Sequence, residues 1–249
     1  MSSLKLSIIV PVFNEKNSIL PLLRRVQEQR QKLKPFGLEI IVVDDGSKDG
    51  TTQVLRENSD LYNHLECQVP NQGKGAAVRK GLQLATGQYI LFQDGDLEYD
   101  PESYVDLIQP VLHHNADLVF GSRFKGSHPI RVPYFWNRIG NRIITFFFNL
   151  MHNTSFTDVY SCYLLFRREL ISPEELRTSG WQQQAEILCR LVDRGKIFYE
   201  VGIAYHGRSH EEGKKIRARH LFQVLWTIFR ESLHGSEQRL PIANGRTHS

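Results

Sequence analysis

LEIIVVDDGSKDGT, residues 38–51, carries the apolar run IIVV (40–43), which stops abruptly in aspartate, glycine and serine. A strand with one wet face alternates apolar and polar residues. This run does not alternate, so it reads as a strand covered on both faces. LSIIVPV (6–12), LECQV (65–69), QYILFQD (88–94) and ADLVFGS (116–122) follow the same rhythm, with helix-period segments between them. Recurring βαβ units predict an α/β fold with a doubly wound, mostly parallel sheet and helices on both faces. The second half is less regular, with helices predicted at 133–151, 182–194 and 217–232 and strands at YSCYLLFR (160–167) and IFYEVGIAY (197–205).

At 249 residues, 41% hydrophobic and 23% charged, the chain has ordinary globular composition and can bury one sizeable core, which excludes a disordered or fibrous class. A net charge of +4 suits anionic ligands or an anionic membrane surface, and no nucleic-acid partner is expected from it. Cys67, Cys162 and Cys189 are odd in number and lack metal spacing, so they read as reduced thiols of a cytosolic protein. The longest apolar stretches, IITFFFNLM (143–151) and LFQVLWTIF (221–229), fall well short of the roughly 20 residues that span a bilayer, so membrane contact is expected to be peripheral. Residues 236–249 combine turn formers with little apolar periodicity and are expected to form a flexible tail after a single domain spanning 1–235.

Ligands of parallel α/β sheets collect at the carboxyl ends of the strands. The polar motifs obey that rule: NE (14–15), DDGSKDGT (44–51), NQGKG (71–75) and DGDLE (94–98) each follow a predicted strand. Asp94, Asp96 and Glu98 place three like charges within five residues, which calls for a cation. A hard divalent ion, Mg²⁺ or Mn²⁺, prefers oxygen ligands and completes its shell with substrate phosphate. Gly95 lets both aspartates face one point. Asp45 is positioned to accept from a nucleobase N–H, and Lys74, in a glycine-flanked turn that opens a helix, suits a phosphate. Neither the P-loop pattern nor G-x-G-x-x-G is present.

SIIVPVFNE, IIVVDDGSKDGT, NQGKGAAVRKG, YILFQDGDLEYDP, VFGSRF and TDVYSCYLLFRRE, taken in order, resemble the family 2 inverting glycosyltransferases, and most closely their dolichyl-phosphate mannosyltransferase-like branch, over residues 5–230. The resemblance implies a GT-A fold with a nucleotide-sugar half (1–122) and an acceptor half (123–235). It also implies a nucleotide-diphosphate sugar donor such as GDP-mannose or a UDP-hexose, Mg²⁺ or Mn²⁺, and a polyprenyl phosphate acceptor, dolichyl or undecaprenyl. By motif position, Pro11, Phe13, Glu15 and Asp45 would hold the nucleoside, joined by Lys74 and Asp94 on the nucleotide sugar. Asp94, Asp96 and Glu98 would surround metal and diphosphate. Arg123 matches the branch's arginine near the acceptor phosphate; Asp158 and Ser161 enter the same site, and Arg208 and Lys215 match basic positions near the phosphates. Asp96, Arg123 and Arg208 are thus the expected catalytic set. Where relatives read FGFEPEI this chain has GWQQQAEI (180–187), which keeps Glu186 as the candidate base. The Q-x-x-R-W motif of processive synthases is missing.

A sugar hydroxyl acceptor needs a general base, whereas a phosphate monoester, with a second ionisation near about 6, is already largely anionic at neutral pH. A phosphate acceptor needs positive charge instead, and the acceptor half carries Arg123, Arg131, Arg138, Arg142, Arg208, Lys214 and Lys215 against the single Glu186. VPYFWNRIGNRIITFFFNLM (132–151) and KKIRARHLFQVLWTIFR (214–230) join aromatics to cations, a pattern of interfacial helices that seat a lipid tail. Arg138 is assigned to acceptor binding on that ground, with peripheral contact at an anionic cytoplasmic membrane face. A separate membrane anchor protein is left open as a partner. His206 and His210 show no zinc pattern. Two other readings stay open: a family 2 enzyme with a hydroxyl acceptor on a glycan or glycolipid, and a noncatalytic nucleotide-sugar-binding subunit that recruits a membrane partner.

Overall fold

β2 (Gly37–Asp44) is buried from its second residue onward, and so, apart from Lys5, is β1 (Lys5–Val12) beside it, as strands covered on both faces must be. The two run parallel, from Lys5 opposite Gly37 to Val12 opposite Asp44. The computed structural model describes residues 4–126, 131, 134–207 and 219–235. Within them β1 and β2 join β3 (His64–Cys67), β4 (Tyr89–Phe92), β5 (Leu118–Ser122), β6 (Leu164–Arg167) and β7 (Phe198–Gly202) in one seven-stranded sheet of order β3-β2-β1-β4-β6-β5-β7. β6 runs antiparallel to both β4 and β5, and the remaining pairs are parallel.

The helices are those the apolar spacing predicts. α1 (Ile19–Glu28) buries Ile19, Leu22, Leu23 and Val26, the i, i+3, i+4, i+7 stripe of a helix with one inward face. α2 (Thr51–Glu57), α3 (Lys74–Leu84) and α4 (Tyr104–His114) connect the strands of the first half. α5 (Phe135–His152), α6 (Gln183–Arg194) and α7 (Arg219–Gly235) follow, with α7 packed on both α5 and α6. At the end of the sheet away from the strand-end motifs, Glu39 of β2 is buried. It accepts from Lys5 Nζ at 2.7 Å, Ser7 Oγ at 2.5 Å and the Thr86 amide at 2.8 Å, tying β1, β2 and the turn before β4 together.

In the second half, both expected strands are shorter than the sequence suggests. β6 begins at Leu164 and not at residue 160, because the Cys162 amide donates to the Tyr99 hydroxyl (3.1 Å) and the Ser161 carbonyl accepts from the Gln184 side chain. β7 ends at Gly202; beyond it Tyr205 forms an isolated antiparallel bridge with Tyr99. The direction of β6 matters for function. Because it runs against its neighbours, the residues that precede it, 158–163, lie at the edge where β4 and β5 end. Arg208, His210, Lys214, Lys215 and the tail 236–249 lie outside the described residues. Among the described residues no helix is long and apolar enough to cross a membrane.

Candidate active site

The loops after β1 and β2 are laced together by their own polar groups. The Asn14 amide donates to Ser47 Oγ (2.9 Å), the Lys48 amide to Asn14 Oδ1 (2.8 Å) and the Glu15 amide to Thr51 Oγ1 (3.0 Å). Pro11 is buried at the end of β1, and Phe13 and Glu15 are half-buried just beyond it. Glu15 accepts from Ser18 Oγ at 2.6 Å. Asp45 accepts through both carboxylate oxygens from the amides of Gln72 (2.7 Å) and Gly73 (2.8 Å), so it clamps the NQGKG loop to the end of β2. Burial pushes its carboxyl above the ordinary aspartate value, and those two amides counter the push.

The NQGKG loop then enters α3 through a backbone that only glycine tolerates well. Gly73 has φ +97°, and a Cβ on Gly75 would lie 2.6 Å from the backbone of Ser179. The Gly75 amide donates to the Ser179 carbonyl at 2.7 Å. The segment 177–181 therefore closes over the start of α3, and Lys74 Nζ lies 5.3 Å from the centre of the Trp181 ring.

After β4, buried Gln93 accepts from the hydroxyls of Tyr104 (2.6 Å) and Tyr163 (2.8 Å), which fixes the base of the acidic turn. Asp94 Oδ1 meets Lys74 Nζ at 2.5 Å. Burial, the largest influence, would lower the lysine, but the Asp94 charge, the hydrogen bond to it and the Asp96 charge act together against burial, and the ammonium stays above the usual lysine range. The buried Cys162 thiol sits against the same carboxylate, and burial followed by that charge pushes it well above an ordinary thiol. Asp96 accepts from the Glu98 amide at 3.2 Å, and Glu98 accepts from the Tyr205 hydroxyl at 2.8 Å. Among the described residues no group of three or more His, Cys, Asp or Glu side chains is placed to hold a metal ion. Across the fold, Glu98 is bonded to Tyr205 and Asp94 to Lys74.

At the end of β5, Arg123 meets Asp158 in a bidentate pair, Nε to Oδ2 at 2.7 Å and Nη2 to Oδ1 at 2.9 Å, with the Arg123 amide adding a bond at 3.0 Å. Asn141 Nδ2 on α5 donates to Asp158 Oδ1 at 2.8 Å. Asp158 is fully buried and the Arg123 side chain is 16% exposed. Burial alone would raise the Asp158 carboxyl; the guanidinium and these donors hold it below the ordinary aspartate range. Three of the five N–H donors of Arg123 are committed, counting the Tyr160 carbonyl at 3.0 Å, so its first task is to hold this edge together. Ser161 is buried nearby, and its Oγ has no hydrogen-bond partner.

Residues 7–172, two thirds of the chain, match the family model described as glycosyl transferase family 2. The chain belongs to that family. Glycosyltransferase AglJ of Haloferax volcanii is 30% identical over 202 residues, covering 81% of this chain and 63% of its own length. Dolichol-phosphate mannosyltransferase of Pyrococcus furiosus is 28% identical over 233 residues, covering 89% and 64%. The chain thus spans less than two thirds of the length of these relatives. A crystal structure of glucosyl-3-phosphoglycerate synthase from Mycobacterium tuberculosis, in complex with Mn²⁺, uridine diphosphate and glucosyl-3-phosphoglycerate, superposes with a TM-score of 0.68 at 19% identity, covering 92% of this chain and 80% of that one. The shared architecture is the GT-A fold.

In this family 2 chain, Glu186, the candidate base, is held closely by its neighbours. It is fully buried at the start of α6 and accepts from the amides of Arg177 (2.9 Å) and Thr178 (2.9 Å), from Thr178 Oγ1 (2.6 Å) and from Arg190 Nη2 (3.0 Å). Burial would raise its carboxyl, yet these donors depress it below the usual glutamate range, which makes it a poor proton acceptor. Its work is to fold the 177–181 segment over α3. Arg138 lies on α5 with its guanidinium 5.5 Å from the centre of the Phe124 ring. Sequence reasoning missed Asn141, Trp181 and Tyr205 as site residues. The signal for Asn141 was a polar residue on the apolar stripe of a helix; for the two aromatics there was none, since their contacts lie across the fold.

Proposed function

We propose that the protein is a metal-dependent inverting glycosyltransferase that moves a hexose from a nucleotide-diphosphate sugar to a polyprenyl phosphate. Pro11, Phe13, Glu15 and Asp45 form the nucleoside side, and Lys74, Asp94 and Asp96 the diphosphate side. Mg²⁺ or Mn²⁺ fits the chemistry of two hard carboxylates flanking Gly95, and such an ion would supply charge neutralisation for the departing nucleoside diphosphate. A diphosphate commonly provides the remaining oxygens, so two protein carboxylates are enough. Lys74 adds a second positive charge at the leaving group. Arg123, held rigidly by Asp158, with Ser161 beside it, bounds the acceptor side, and Arg138, Arg208 and Lys215 supply further positive charge.

The observation that supports the acceptor assignment is the state of Glu186: it is buried, accepts four hydrogen bonds and has its carboxyl held below the usual glutamate range, which disfavours it as the base a hydroxyl acceptor needs. A phosphate acceptor needs none, because it arrives ionised. Exposed apolar residues on the neighbouring helices α5 and α7, among them Trp136 at 78% and Phe222 at 75%, support peripheral seating on a membrane at its cytoplasmic face, where the lipid phosphate would be presented.

The test is transfer itself. Purified protein is incubated in turn with radiolabelled GDP-mannose and UDP-glucose, a short polyprenyl phosphate, and Mg²⁺ or Mn²⁺, and then extracted into organic solvent. Label is expected in the organic phase only with metal and lipid phosphate together. Asp96→Ala is expected to abolish it while the melting temperature stays within a few degrees of wild type. Label that never leaves the aqueous phase with any donor, or wild-type turnover in Asp96→Ala at saturating metal, overturns the reading.

A further inference from the structure

Lys74 and Asp94 are joined at 2.5 Å across a half-buried surface, with 29% and 20% of their side chains exposed. Two features of the pair decide what it does. The carboxylate belongs to the acidic turn that carries like charges on either side of Gly95. The ammonium hangs from the first residue of α3, whose backbone is pinned by the Gly73 amide to Asp45 (2.8 Å) and the Gly75 amide to Ser179 (2.7 Å). The root of the side chain is fixed, and its tip reaches Asp94 on a four-carbon stem with rotatable bonds.

We propose that Lys74 is the resident counter-ion of Asp94, and that it yields the carboxylate to the divalent cation and turns onto the nucleoside diphosphate. This rests on the metal-dependent reading above. A dication bound to a carboxylate oxygen sits roughly 2.0–2.2 Å from it, so an ammonium 2.5 Å from the same oxygen would face a double positive charge at close range in a partly dehydrated site. The two cations compete for Asp94. The backbone around Lys74 is held and its stem is not, so the lysine is the one that moves. Once displaced it needs a new anion, and the diphosphate that accompanies the metal is that anion. Lys74 thereby couples the two ligands: metal alone must evict a cation with nowhere to go, whereas metal with nucleotide evicts it into a new ion pair. Trp181, with its ring 5.3 Å from Nζ, would report the movement as a change in emission when the cation–π contact is lost.

The experiment titrates the full chain with MnCl₂, alone and in the presence of GDP or UDP, following free Mn²⁺ by its paramagnetic resonance and Trp181 by emission, with Trp181→Phe as the blank for the other tryptophans. Wild type is expected to bind Mn²⁺ at least about tenfold more tightly with one of the nucleotides than without, and to lose binding in Asp94→Asn. Lys74→Gln is expected to bind Mn²⁺ alone about tenfold more tightly than wild type, and to cut the nucleotide's enhancement to about threefold or less. Lys74→Arg, which keeps a competing cation, is expected to restore the wild-type pattern. If wild type binds Mn²⁺ with nucleotide and loses it in Asp94→Asn, yet Lys74→Gln leaves affinity for Mn²⁺ alone unchanged or weaker, the counter-ion role is overturned and the metal site stands. If wild type binds no Mn²⁺ with either nucleotide, the metal-dependent reading falls and the counter-ion role with it.

Discussion

Asp158→Asn removes one charge from the pair that joins the end of β5 to the approach to β6. The carboxylate is fully buried and receives the Arg123 amide, Nε and Nη2 together with Asn141 Nδ2. Taking away one partner of a buried pair costs about 3–5 kcal/mol, because the other charge is left uncompensated. Arg123 keeps 16% exposure and an asparagine oxygen keeps one acceptor, so the lower end, about 3 kcal/mol, is expected. For a chain of this length that is a fall in melting temperature of roughly 6–12 °C. The folded-state carboxyl is depressed below its unfolded value. Its contribution is therefore fully present above the unfolded pKa of about 3.9 and is lost as pH falls through the folded value. The gap between wild type and variant, followed by circular dichroism, should be full at pH 7 and shrink below about pH 4. Arg123→Met added to Asp158→Asn should cost less than the sum of the two single changes, since neither charge is then stranded. A variant that melts within about 2 °C of wild type at neutral pH, less than 1 kcal/mol of effect, would refute the reasoning.

Three further outcomes follow from contacts elsewhere. Burial alone would raise Glu39, yet Lys5, Ser7 and Thr86 hold it down at about 2 against an unfolded 4.5, a contribution on the order of 3 kcal/mol that is present above about pH 4.5 and lost as pH falls toward 2; Glu39→Gln should flatten the acid limb of the stability curve. Glu186→Gln should destabilise by about 2 kcal/mol through lost charge-assisted bonds, while kcat per folded molecule stays within a few-fold of wild type; a large kcat loss with donor affinity intact would restore its candidacy as base. Gly75→Ala places a Cβ 2.6 Å from Ser179 backbone atoms, which should cost about 1–3 kcal/mol and, by displacing the 177–181 segment, raise the donor KM more than it lowers kcat in steady-state assays.

Local pattern in the chain was enough to determine the strands of the first half and the crossover helices between them. Apolar run length, helical spacing and turn residues are set by a few neighbouring residues, and they act before any long-range contact forms. β6 escaped that logic. Its apolar run was legible, but its antiparallel direction, which delivers Asp158 and Ser161 to the ends of β4 and β5, is a property of the whole sheet. The pairing of charges was equally hidden. Asp94, Asp96 and Glu98 looked equivalent along the chain, yet tertiary structure gives Asp94 a lysine 20 residues away and Glu98 a tyrosine 107 residues away. Glu186, legible as a conspicuous acid, turned out to hold a loop together. Which partner a charge takes depends on distances and burial between segments remote in sequence, and those come into being only when the core has closed.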